Sequence, residues 1–183
     1  DRWERFWIIE FPTIEGTEAW IEAEMAPPYG LYGYYQYQLS RPWQRDNFDS
    51  WVTKPPALAN PINIDPREPH DLRVNMDTVV AVTLDRWRPG AELIPPVVRG
   101  DTNHNDLMRS VARKYGLIRL KAFRLIAPQH DWHYAWIAEF PTLEGAQAWQ
   151  DTDTQPPHST YRAKTCYLSR KWSPEYFAAW VPK

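Results

Sequence analysis

From Trp132 to Phe140 the chain alternates. Trp132, Tyr134, Trp136, Ala138 and Phe140 point one way; His133, Ala135, Ile137 and Glu139 point the other. A period of two predicts a strand with one strongly aromatic face. Pro141-Thr142 ends it, and Thr142 as N-cap with Glu144 in the first turn predicts a helix to about Trp149. Pro156-Pro157 breaks the chain, Tyr161–Ser169 reads as a strand, and Ser173-Pro174-Glu175 opens a short terminal helix. Upstream, Thr78–Trp87 is a valine-rich strand, followed by a loop marked by Pro89-Gly90 and Pro95-Pro96. Leu107, Val111 and Tyr115 share one face of a helix that Asn105 caps and Gly116 closes. Leu117–Ile126 is the next strand. The order over 78–169 is β-α-β-β-α-β, the split β-α-β plait, with both helices on one face of an antiparallel sheet. The opposite face must be buried by a second layer or stay exposed and apolar.

The second half of this pattern occurs twice. Residues 7–54 align with 136–183 at a constant offset of 129, without a gap, and 21 of 48 positions are identical. Trp7-Ile8-Ile9-Glu10-Phe11-Pro12-Thr13 matches Trp136-Ile137-Ala138-Glu139-Phe140-Pro141-Thr142. The first copy thus predicts a strand over Trp3–Phe11, a helix after Thr13, a break at Pro27-Pro28, a strand over Leu31–Leu39 and a short helix over Asn47–Val52. It lacks the β-α-β that precedes the second copy. The expectation is a leading segment ahead of Asp1, with completion by a partner chain as the alternative. The resulting division is a partial repeat over 1–54, a proline-rich linker over 55–77 and a complete domain over 78–183.

The element order, with the strand–Pro-Thr–helix stretch Trp136–Trp149, resembles the dimeric α/β-barrel superfamily of ferredoxin-like plaits, in particular its EthD-like and NIPSNAP-like members. The resemblance implies an α+β fold of tandem ferredoxin-like plaits, the first incomplete here, and a homo-oligomer. It also implies an activity drawn from cofactor-free monooxygenases, cyclases, isomerases and lyases, or alternatively a haem enzyme with one His ligand. It carries no diagnostic catalytic motif.

Composition narrows the classes. A net charge of −2 without a Lys/Arg cluster argues against nucleic-acid binding. No apolar run is long enough to span a membrane, and no signal-peptide pattern opens the chain. With Cys166 as the only cysteine there is neither an internal disulfide nor a cysteine metal cluster, and a cytoplasmic location is expected. No glycine-rich phosphate loop, Cys-x-x-Cys or nucleophile elbow is present. Eleven Trp and 10 Tyr point to large flat surfaces with polar handles, suited to a small aromatic or apolar ligand.

The candidate catalytic residues are His133, Tyr134 and Arg124, with Trp132, Trp136, Tyr161, Tyr167 and Arg119 as ligand-binding residues. His133 replaces Glu4 of the first copy, and Tyr134 replaces Arg5. Arg119 and Arg124 fall on opposite strand faces, so one is placed to meet an acidic or phenolic ligand. Arg41 and Arg170 recur in Leu-Ser-Arg-x-Trp, where a structural role competes with carboxylate binding. Glu10 and Glu139 recur as scaffold residues, and Cys166 reads as a buried inert thiol. A metal would need His130 and His133 with His104 and His158, and strand spacing separates the first two, so no metal is expected. For haem, the candidate ligands are His133, His104 and His158. The function expected is acid/base chemistry on a small aromatic or apolar compound without an organic cofactor. A non-enzymatic binding or assembly protein is the remaining alternative.

Overall fold

A computed structural model describes residues 5–43, 48–53, 78–126 and 132–171. Expectations at Trp3, Glu4, His130, the linker and the terminal helix lie outside these residues. The chain divides into two compact units between Gln38 and Leu39.

The first unit contains α1 (Ile14–Met25). Thr13 caps it, its Oγ1 accepting from Gly16 N at 3.3 Å, as Thr142 accepts from Gly145 N in the second copy. Phe11 packs on Trp20, with ring centroids 5.9 Å apart. Trp20 Nε1 and Tyr37 Oη both donate to Glu24 Oε2, at 3.2 and 3.0 Å. No residue of α1 is buried. The strands expected at 3–11 and 31–39 are not formed over residues 5–11 or 31–39. The reason is pairing: a strand exists through its ladder, and the described residues of this unit include no neighbouring strand.

The second unit holds β1 (Ser40–Pro42), β2 (Val79–Trp87), α2 (Pro96–Arg99), α3 (Asp101–Tyr115), β3 (Arg119–Leu125), β4 (Tyr134–Phe140), α4 (Leu143–Asp153) and β5 (Arg162–Ser169). The sheet order is β1-β3-β4-β2-β5, and every pairing is antiparallel. Its last four strands have the order of the split β-α-β plait, and β1 extends the β3 edge. The helix α3 starts at Asp101, a turn before the expected Asn105, because Gly100 at φ +73° both ends α2 and caps α3. A Cβ at Gly100 would lie 2.7 Å from Pro157 Cγ, so the glycine also admits the loop after α4.

Register sorts the side chains. Val79, Ala81, Ala122, Ala138 and Phe140 face the helices and join Met108, Ala112, Leu117, Ala146 and Trp149 in the core. Small residues on the sheet let the helices approach, and aromatic rings fill the remainder. Phe48 and Trp51, in a short 3₁₀ helix over Phe48–Trp51, complete this core. Phe48 meets Trp136 edge-on at 5.7 Å, and Trp51 meets Trp149 at 6.5 Å. Residues 48–53, expected to belong with the first repeat, are thus built into the core of the second unit. On the opposite sheet face Glu139 is 1% exposed. Its carboxylate accepts from Thr78 Oγ1 at 2.9 Å and meets Lys171 Nζ at 2.5 Å and Arg119 Nε at 3.4 Å. That is a scaffold role, since an unpaired buried carboxylate would be prohibitively costly.

Gly145 supports a direct test of this packing. A Cβ there would sit 2.9 Å from Phe140 Cδ1 and 3.0 Å from Tyr115 Cβ. Gly145→Ala is expected to lower unfolding stability by about 1–3 kcal/mol through overpacking. Denaturant unfolding against the wild type measures it, and no loss would show that the helices separate freely.

Candidate functional site

The core ends where the sheet outruns the helices. One row of paired positions crosses β1, β3, β4, β2 and β5 there: Arg41, Arg124, Tyr134, Asp85 and Lys164. Directly paired residues share a face, and Tyr134 fixes which one. Its ring packs 5.0 Å from Trp43, itself packed against the helix-side core, and the Arg162 guanidinium lies 5.4 Å above it.

At one end of the row Arg41 and Arg124 are cross-strand neighbours, and both are exposed. Like charges directly opposite each other destabilise a ladder. Among the described residues neither guanidinium makes an ion pair or side-chain hydrogen bond, and the Tyr134 hydroxyl has no hydrogen-bond partner. Two unneutralised forks of donors therefore stand beside a free phenol and the Trp43 ring.

The other end is dense with paired charge. Arg162 and Asp85, 7% and 3% exposed, form a bidentate pair, with Nε–Oδ1 at 2.7 Å and a second contact from Nη2 to Oδ2. The Trp87 ring has Arg162 at 3.9 Å and Arg99 at 4.5 Å. Arg99 donates to Asp101 Oδ2 at 2.8 Å and to the Ala91 carbonyl at 3.2 Å.

Next to this network the helix ends bring two histidines together. His104 lies in the first part of α3, and His158 follows the cis Pro156–Pro157 bond in the 3₁₀ helix His158–Tyr161. Their rings stack with centroids 3.8 Å apart and planes at 19°. His104 Nε2 is 3.3 Å from Asp153 Oδ1, which also takes Lys164 Nζ at 2.5 Å. Burial, then the neighbouring charges of His104, Lys164 and Arg162, push His158 down to about 3, so it is neutral near pH 7. Burial opposes ionisation of Asp153, but the hydrogen bond from His104 and the Lys164 charge outweigh it and bring the carboxyl down to about 2.

The sequence-predicted residues are divided by the sheet. Tyr134, Arg124 and Trp136 share the helix-side face. Arg119 and Tyr167 are on the other face, where Arg119 is tied to Glu139. His133, in a bend just before β4, is exposed, its Nδ1 accepting from Trp87 N at 3.4 Å and its ring edge-on to that of Tyr134 with centroids 6.3 Å apart. Trp132 and Tyr161 are half-buried; the Tyr161 carbonyl accepts from Arg88 N. Arg170 donates to the Thr78 carbonyl at 3.4 Å. Cys166 corrects the expectation of a buried residue: it is exposed on an outer strand of the sheet, because only one neighbour, β2, covers it. Its Sγ still meets Thr83 and Gln150, and partial burial pushes the thiol up. A groove of about 380 Å³ between α3 and α4, lined by Leu107, Val111, Tyr115, Ala148 and Thr152, contains none of the sequence-predicted site residues.

Asp153 and the pairing of His104 with His158 were missed by spacing. The signals were the histidine after Pro156-Pro157 and the departure of His158 from Tyr29 in the first copy.

No protein-family model matches the chain. No curated protein matches it either. Among solved structures, a dimeric protein of unknown function and ferredoxin-like fold from Bacteroides fragilis is similar, with 14% identity, a TM-score of 0.33, and coverage of 52% of this chain and 97% of its own. At that score the likeness adds no weight, and the plait stands on its own strand order and connections.

The buried pair yields a stability prediction. Asp85→Asn strands the Arg162 charge in the interior and is expected to cost about 3–5 kcal/mol. The double variant Asp85→Leu/Arg162→Met should recover most of that loss. Chemical denaturation of the two variants against the wild type measures both; equal losses for the single and double changes would contradict a charge origin.

Proposed function

We propose that the second unit is a small-molecule enzyme whose ligand is an aromatic organic anion, bound on the helix-side row at Arg41, Arg124 and Tyr134. The observation that carries this reading is the cross-strand arginine pair that has no counter-ion among the described residues, beside a phenol with no hydrogen-bond partner among them. A carboxylate or phenolate between the two guanidiniums removes their repulsion and accepts charge-assisted hydrogen bonds. Its ring then lies against Trp43 and Tyr134, which already pack 5.0 Å apart. The Tyr134 hydroxyl is the group within reach for proton transfer to a substrate oxygen or carbon, and no organic cofactor is invoked. In this reading the first unit is the second half of another plait, and the functional protein is a homo-oligomer. The repeat of the Thr-capped helix followed by a Pro-Pro pair supports the tandem relation.

Tryptophan fluorescence and ¹H–¹⁵N NMR with benzoate, salicylate and cinnamate, against the uncharged benzamide and toluene, test the reading on the full chain. The anions should bind and the neutral analogues bind at least tenfold more weakly, about 1.4 kcal/mol. Arg124→Gln and Arg41→Gln should each reduce anion affinity by a similar factor, and Tyr134→Phe should leave binding largely intact. Equal binding of neutral and anionic rings, or affinity unchanged in both arginine variants, overturns it.

A further inference from the structure

The histidine pair plays no part in that reading, and its donor set has a chemistry of its own. One ligand atom from each of His104, Asp153 and His158 lies within 4.8 Å of the others. We propose that these three residues form a binding site for a divalent transition-metal ion, with Zn²⁺ the best match. Two imidazoles and a carboxylate are the ligand types of three-ligand zinc centres, whose fourth position takes water, and imidazole favours zinc over magnesium or calcium.

The orphaned atoms of the cluster agree with this. His158 Nδ1 is buried without a hydrogen-bond partner, and so is Asp101 Oδ1. His158 Nε2 faces that oxygen from 3.9 Å. Coordination through Nδ1 would satisfy the first orphan. A short shift would let Nε2–H donate to Asp101, the carboxylate–histidine–metal relay that orients ligating imidazoles. The side-chain contacts of Asp153 fall on Oδ1, leaving Oδ2 open among the described residues.

Two features must change on binding, and neither is fixed. The stacked rings hold their lone pairs in nearly parallel planes, whereas ligands about 2.0–2.2 Å from one ion must converge. His158 is the ring that turns, since its side chain makes no hydrogen bond. The Lys164 ammonium, on Asp153 Oδ1, supplies the positive charge that the ion would bring, so it competes with the metal. Its carbon chain sits beside the site, and Lys164→Met removes the competitor while keeping most of the packing.

The test is titration of the chelator-treated full chain with Zn²⁺ against a chromophoric chelator, and with Co²⁺ while recording visible absorption. A saturable one-to-one site with the intense absorption of tetrahedral Co²⁺ is expected. His104→Ala and His158→Ala should each weaken it by at least the ten- to hundred-fold typical of losing an outer-shell partner. Lys164→Met should tighten it, and His133→Ala should leave it unchanged. Circular dichroism shows whether each variant is folded. Should a variant unfold, His158→Gln and Asp153→Asn provide the same comparison. Absence of one-to-one binding by the folded wild-type chain overturns the proposal, as does affinity that is lost in His133→Ala but kept in folded variants of His104 and His158. Neither result bears on the anion reading, which uses other residues and other probes.

Discussion

The second unit depends on covering the helix-side face of its sheet. Two helices are not enough. The gap beside Trp136 and Trp149 is filled by Phe48 and Trp51, rings that arrive from far upstream in the chain after β1 has added to the β3 edge. Truncating a buried aromatic of this kind typically costs about 3–5 kcal/mol, a large share of a domain's whole stability. The segment 39–53 is therefore part of the second unit for an energetic reason: its large apolar groups are buried there.

The same cover explains where chemistry can lie. Under the helices the sheet carries Ala81, Ala122, Ala138 and Phe140, which leave no room for charge. Beyond the helix ends the row of register changes character at once, to Arg41, Arg124, Tyr134, Asp85 and Lys164. The charges that are buried at that boundary each need a partner. Asp85–Arg162, Asp101–Arg99 and Asp153–Lys164 each have one within the protein. The arginine pair at the β1–β3 edge does not find one among the described residues, and that imbalance separates a scaffold network from a candidate ligand site.

Much of the plait was legible because its signals are local. Alternation marked β4, valine richness marked β2, Thr142 marked the start of α4, and Gly116 marked the end of α3. The strands read over 3–11 and 31–39 were expected from their repeats yet do not form over residues 5–11 or 31–39. A ladder is a property of two segments, and identical patterns give a strand only where a neighbour offers its backbone groups. The candidate site shows the same division. Tyr134, Arg124 and Trp136 could be grouped by parity along their strands, whereas Arg119 and Tyr167 fell on the wrong face once register was set.

By itself the sequence determined the type and order of the elements over 78–169, the repeat at an offset of 129 and the alternation of side chains along each strand, since all of these follow from spacing along one chain. Tertiary structure alone decided which elements found partners, which unit took residues 39–53, and which charges met. His104 and His158 are separated by most of α3, two strands and α4, and no periodicity links them. A helix start, a helix end and the turn after Pro157 converge only when α3 and α4 pack side by side on the sheet, and Asp153 and Lys164 enter the cluster through that packing.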